Sequence, residues 1–194
     1  MSPQLLILAA LGVPLTGALL IGLAGRLNDN LREAITLVTA GRLIACVWSL
    51  LPLVYGCGRP GVELFEVLPG ITVSFKVEPL GMMFAALASV LWLVNSIYSI
   101  GYMRGNREQK QTRFYVMFAV SLAATMGIAF AGNLFTLFLF YVALTLSTYP
   151  LVSHKVDQKT VISARVYLGI LISASIGLLL PAIIWTYSVT GTGD

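Results

Sequence analysis

Eight polar or basic side chains stand out in this chain as groups able to hold an ion, relay a proton or order water: Arg42, Asn95, Tyr141, Thr145, Thr148, His154, Lys155 and Arg165. His154 titrates near neutral pH, so it serves either as an interfacial hydrogen-bond partner that positions a loop or as the opening of a proton route. Arg42 falls inside an apolar run, where a guanidinium must snorkel, pair with another group or line a wet cavity. Its readings are a structural one, snorkelling or bracing a neighbouring helix, a place on an ion path, and a second helix that starts elsewhere than near residue 34. Asn95 is either glue between helices or the wall of a hydrated passage. Tyr141, Thr145 and Thr148 recur at three- and four-residue spacing, which puts them on one side of a helix, where they pack through hydrogen bonds or order water. Other chemistries are excluded. There is no Ser-His-acid set, no phosphate-binding glycine loop and no haem motif. The solitary histidine argues against a metal centre, and the sequence assigns no cofactor.

The elements that must carry these residues are membrane helices. The 194 residues are 58% apolar and only 10% charged, whereas soluble domains are charged at about a quarter of their positions. Phe114 to Val152 runs without one charge and is interrupted by Gly132-Asn133. At about 1.5 Å per residue its two halves measure roughly 27 and 28 Å, each matching a hydrocarbon layer of about 30 Å. The same reasoning over the whole chain predicts an all-α integral membrane protein with six spans, near residues 3–25, 34–55, 80–100, 114–131, 134–152 and 161–187, within one membrane domain 1–194. The first run lacks a positive n-region and is read as a retained helix rather than a signal. Arg42 then lies about 12 Å into the second span. Asp29 or Asn30 is placed to cap that helix, and Asn133 to cap the fifth. Cys46 and Cys57 form no ligand or redox motif and read as buried small thiols.

Residues 60–78 change character. VELFEV, a Pro-Gly break and ITVSFKV predict a β-hairpin whose second strand turns Ile71, Val73, Phe75 and Val77 to one side. An open sheet edge cannot face lipid, so the hairpin is expected outside the hydrocarbon, covering helix ends. Small-residue stripes at Ala123, Gly127 and Ala131, and again at Gly169, Ser173 and Gly177, predict close helix contacts, and Pro181 predicts a kink.

Charge placement orients the chain. With the N-terminus outside, the inner loops hold nine Lys or Arg residues and the outer loops only Arg59 and Lys76. The positive-inside bias therefore predicts a multi-pass plasma-membrane protein with both termini extracytoplasmic. The net charge of +4 is explained by this asymmetry, so lipids rather than nucleic acid are the expected environment.

Several long motifs occur in order: VSFKVEPLGMMF, WLVNSIYSIGYMRG, QTRFYVMFAVSLAATMGIAFAGNLFTLFLFY, LTLSTYPLVSHK and TYSVTGTGD. Together they resemble the N-terminal part of the large D-type subunits of multisubunit Mrp cation/proton antiporters, which are related to antiporter-like subunits of complex I and of membrane-bound hydrogenases. The resemblance implies a fold of about fourteen spans with two inverted five-helix repeats, of which this chain supplies a truncated portion, as an N-terminal fragment or a separately encoded half. It also implies partners: other antiporter-like and small membrane subunits, together with a hydrogenase or oxidoreductase module in some complexes.

The resemblance is informative where it breaks. The family pattern LFxFYExLTLxTYPLVxHK places an intramembrane glutamate where this chain has Val142, while Tyr141, Thr145, Thr148, Pro150, His154 and Lys155 are retained. In ARVYL, Val166 precedes the tyrosine where the family carries a basic residue, and the adjacent Arg165 is rotated by about 100° around the helix. A missing carboxylate implies retained architecture over retained chemistry: a non-catalytic accessory or structural subunit of a Na+- or H+-translocating or redox-coupled complex. The alternative is one part of a split cation/proton channel completed by a partner.

Overall fold

A computed structural model describes residues 2–56, 58–153 and 158–191. Its elements are α1 (Pro3–Ala24), α2 (Asp29–Tyr55), β1 (Gly61–Leu68), β2 (Ile71–Lys76), α3 (Pro79–Gly105), α4 (Gln111–Ala129), α5 (Leu134–Val152), α6 (Gln158–Ala174) and α7 (Leu180–Thr190). A single π-helical turn, Ser175–Leu179, joins α6 and α7 into one long span. Among the described residues six helices are thus long and apolar enough to cross a membrane, with the hairpin between the second and third.

Local chemistry sets the helix ends. Pro3 opens α1 at a position where its missing N–H costs nothing, and Ser2 accepts from Leu5 N at 3.4 Å. Asn28, rather than Asp29 or Asn30, caps α2, accepting from Asn30 N at 3.0 Å. The helix consequently begins five residues before the expected Ala34. The π turn precedes Pro181, whose ring and absent N–H disfavour a regular α-helical ladder there; one wider turn relieves that conflict.

α1 packs against α2 and α4; α3 packs on α2 and also touches α4, closing a ring of four helices, and α5 then α6 follow beyond α4. Ile7, Ala10 and Ile21 of α1, Leu43, Val47 and Leu50 of α2, and Met126 of α4 are fully buried in the seam. Close approach depends on glycine. A Cβ on Gly127 would collide with the Phe140 ring, which holds α4 against α5 as the first small-residue stripe predicts. The second stripe behaves differently. Gly169, Ser173 and Gly177 are exposed, and nothing lies within 4 Å of a Cβ built on either glycine, so the expected close contact is not made among the described residues.

The hairpin closes one end of the bundle. β1 and β2 are antiparallel with Val62 opposite Phe75, joined through Pro69-Gly70. Gly70 has φ +82°, in the left-handed region that glycine adopts without strain, and its N–H donates to Glu66 Oε1 at 2.7 Å. Ile71, Val73, Phe75 and Val77 are all buried, which is the predicted side. The free edge of β2 is covered by the α4–α5 turn: Lys76 N donates to Phe130 O at 2.8 Å and Gly132 N to Ser74 O at 2.9 Å.

Candidate functional site

The family-signature helix α5 shows an inverted burial pattern, since its fully buried residues are hydroxyl-bearing: Thr136, Thr145 and Ser147. In a membrane bundle the apolar side chains can face lipid while small hydroxyls allow close packing. Thr145 Oγ1 donates to Tyr141 O and Thr148 Oγ1 to Thr145 O, both at 2.9 Å. These hydrogens are donated to the helix's own carbonyls, while the hydroxyl oxygens keep their lone pairs. Val142, one residue after Tyr141, is half-buried and brings no polar atom. Ser147 Oγ meets Ser121 Oγ of α4 at 2.9 Å, a direct hydrogen bond across the α4–α5 seam.

The remaining sequence-derived residues do not assemble around α5. Arg42 is exposed on α2 and makes no ion pair or hydrogen bond among the described residues. Because α2 starts at Asp29, Arg42 sits at the helix midpoint, about 20 Å from either end, rather than the expected 12 Å. Asn95 is half-buried and lines an open, mainly apolar groove of about 660 Å³ between α3 and α4 with Trp92, Tyr98, Phe118 and Leu122. Arg165 is exposed on α6. His154 and Lys155 lie outside the described residues.

Two polar constellations escaped the sequence reading. At the end of the bundle opposite the hairpin, Arg32 and Glu33 are almost completely buried, although they belong to a segment read as loop. Arg32 donates to Asp29 Oδ1 at 2.7 Å, to Gln111 Oε1 at 2.8 Å and to Thr112 Oγ1 at 3.2 Å, and its guanidinium carbon lies 5.2 Å from the centre of the Tyr115 ring. Glu33 accepts two hydrogen bonds from Arg104 of α3, Nε at 2.9 Å and Nη2 at 2.6 Å, and Arg104 also reaches Asn30. This cluster ties the start of α2 to the end of α3 and the start of α4. Nearby, Arg113 reaches Pro150 O at 3.1 Å and Ser153 Oγ at 3.3 Å, fixing the last turn of α5. The local signal was the Asp29–Arg32 spacing of three; the long-range partners leave no sequence mark.

At the hairpin end, Asn133 performs three tasks. Its Oδ1 accepts from Thr136 N at 2.8 Å, capping α5, while Nδ2 donates to Thr72 O at 2.6 Å and Ser74 Oγ at 3.1 Å. Ser74 N donates in turn to Thr136 Oγ1 at 3.1 Å. The capping role is the predicted one; the clasp on the hairpin is added by the tertiary structure. Among the described residues no three His, Cys, Asp or Glu side chains gather as a metal site.

Six membrane helices, a hairpin clasped to the α4–α5 turn and a polar seam along α5 define a multi-pass bundle of the antiporter-like type. Residues 69–115 match the family model for the N-terminus of chain 5 of NADH-ubiquinone oxidoreductase (complex I), and residues 131–194 match the transmembrane model of NADH:quinone oxidoreductase and Mrp antiporters. NADH-quinone oxidoreductase subunit N of Desulforudis audaxviator is 26% identical over 120 residues, covering 62% of this chain and 24% of that protein. Na(+)/H(+) antiporter subunit A1 of Staphylococcus aureus is 26% identical over 111 residues, covering 57% and 14%. In three dimensions the chain resembles a chain of the Mrp complex from Dietzia sp. DQ12-45-1b, with a TM-score of 0.82, 21% identity, and coverage of 100% and 36%. It also resembles a chain of the archaeal membrane-bound sulfane sulfur reductase, with a TM-score of 0.80, 15% identity, and coverage of 96% and 38%. The chain belongs to the antiporter-like, complex-I-related family of membrane subunits, homologous to Mrp Na+/H+ antiporter and NADH-quinone oxidoreductase subunits. It spans about a quarter or less of the curated relatives it matches.

Proposed function

We propose that this chain is an accessory, architectural subunit of a multisubunit ion-translocating or redox-coupled membrane complex, and that it lacks a complete ion path of its own. One observation carries the reading. The family motif in α5 is retained around Val142, yet that position has no titratable group, and the adjacent Thr145 and Thr148 hydroxyls donate to their own helix. A proton path through the membrane needs groups that exchange protons or hold water in a continuous file. Apolar replacement of a buried charge removes its desolvation cost while leaving helix packing intact. In this reading the partners are other antiporter-like and small membrane subunits, with an oxidoreductase module in some assemblies. The basic end of the bundle, with Arg26, Arg32, Arg104, Arg107, Lys110 and Arg113, faces the cytoplasm, and both termini are extracytoplasmic.

The test is flux through the intact complex in proteoliposomes carrying Val142→Ala or Val142→Glu. An accessory role predicts near-normal cation-dependent proton flux with alanine and no gain with glutamate. A several-fold gain with glutamate would refute it. A second reading, a split channel completed by another subunit, draws on the uncovered Gly169, Ser173 and Gly177 face. In that case Tyr141, Thr145, Thr148, Asn95, His154, Lys155 and Arg165 would contribute polar groups to a shared path. It requires ordered water between this chain and its neighbour in a structure of the native complex; a dry seam would exclude it.

A further inference from the structure

Arg42 presents a charge at the depth where the bilayer is least able to solvate it. It lies midway between Asp29 and Tyr55, the ends of α2, and is exposed on the bundle surface. α2 packs on α1 and α3 through other faces, where Thr36, Thr39, Leu43, Val47 and Leu50 are buried. Arg42 stands about 12 Å beyond the charged opening turns of α2, counted from Ala34, and about 20 Å from Tyr55; snorkelling shortens the nearer path but does not span it.

Among the described residues no carboxylate pairs with Arg42. The eight acidic residues are Asp29, Glu33, Glu63, Glu66, Glu78, Glu108, Asp157 and Asp194. The first two occupy the opening turns of α2, and Glu63 and Glu66 lie in β1. Glu78 and Glu108 fall just before and just after α3. In sequence, Asp157 falls between α5 and α6, and Asp194 falls after α7. None is inside a span at mid-depth. The described residues supply no counter-charge at this depth, and lipid tails have none.

The surface around Arg42 is shaped for a helix. Gly41, Ala45 and Ser49 recur every four residues on the same exposed side, and nothing lies within 4 Å of a Cβ built on Gly41. Ser49 Oγ donates to Ala45 O at 2.6 Å, so its hydrogen is already committed within α2. A path of small side chains beside a long cationic one lets a second backbone come close enough for a short carboxylate to meet the guanidinium in two parallel hydrogen bonds.

We propose that the Arg42 face of α2 is a subunit interface, occupied by a membrane-spanning helix of a neighbouring subunit that bears an Asp or Glu at mid-bilayer depth. The inference rests on the accessory-subunit reading and assigns that reading a face and a partner chemistry.

The experiment uses the complex extracted from native membranes. Arg42→Leu should still accumulate in the membrane but co-purify with the other subunits at least tenfold less than wild type, and Arg42→Lys should retain most of the association. Photo-crosslinking from Ala45→Cys in a Cys46→Ala, Cys57→Ala background, labelled with a benzophenone maleimide, should map to a helix with a carboxylate within two turns of the attachment point. Arg42→Glu should lose association and regain it when that carboxylate is changed to Arg. Crosslinks only to lipid, or to a helix without an acid, would overturn the interface, as would unchanged association of both Arg42→Leu and Arg42→Glu. The crosslink leaves Arg42 in place and decides the case if Arg42→Leu fails to accumulate. A wild-type chain that purifies alone would instead refute the accessory reading itself.

Discussion

Glu33→Ala is the perturbation that reports most directly on how the basic end of the bundle is held. The Glu33 side chain is 8% exposed, accepts two hydrogen bonds from Arg104 and lies 3.4 Å from Arg32 Nη2. Removing one partner of a buried ion pair costs about 3–5 kcal/mol when the other is left uncompensated. Here the compensation is partial on both sides. The Arg104 side chain is 50% exposed and returns to water, so its contribution is screened. Arg32 keeps Asp29, Gln111 and Thr112. The expected loss is therefore about 2–3 kcal/mol, which corresponds to roughly a 30- to 150-fold rise in the local opening equilibrium. Amide hydrogen exchange over the first two turns of α2 and the first turn of α4, in detergent or nanodiscs, reads that equilibrium. The rise should be confined to those turns, because the hairpin end is clasped separately through Asn133. A rise of less than about threefold would refute the argument that the pair fastens this end. Equal acceleration at the hairpin would refute the independence of the two ends.

Asn133→Ala should loosen the hairpin from the α4–α5 turn. It removes an α5 cap worth about 1 kcal/mol and two donors to β2 worth together about 1 kcal/mol more, so proteolysis at the Pro69-Gly70 turn should accelerate roughly 30-fold. Gly81→Ala places a Cβ on the Ala129 carbonyl oxygen. Backbone cannot step aside as a side chain can, so the start of α3 must shift, at a cost of about 1–3 kcal/mol. Thermal unfolding in detergent should detect it, and an unchanged midpoint would show that the two helices do not approach as closely as described.

How much of this was legible in the sequence follows from the range of each interaction. Hydropathy runs and turn residues gave six spans and the hairpin because both signals are local: a helix must fill the hydrocarbon thickness, and Pro69-Gly70 permits the turn. The burial of Ile71, Val73, Phe75 and Val77 followed from the period of two along a strand. The start of α2 lies five residues before the one that hydropathy predicts, because Asn28 caps a helix whose first turns are charged. The second small-residue stripe was legible as a face but not as a contact, since spacing does not say what stands opposite.

The sequence by itself therefore determined the number of spans, the asymmetry of positive charge, and the absence of a carboxylate at Val142 and of any acidic residue at mid-span, because these depend only on which side chains occur where along the chain. Tertiary structure decided that Arg32 and Glu33 are buried through Arg104, Gln111 and Thr112, that Asn133 clasps the hairpin, and that Arg42 faces outward from the bundle. Those outcomes depend on residues some sixty to eighty positions apart meeting, or on the direction in which a helix is turned by its neighbours. Local sequence carries no record of either.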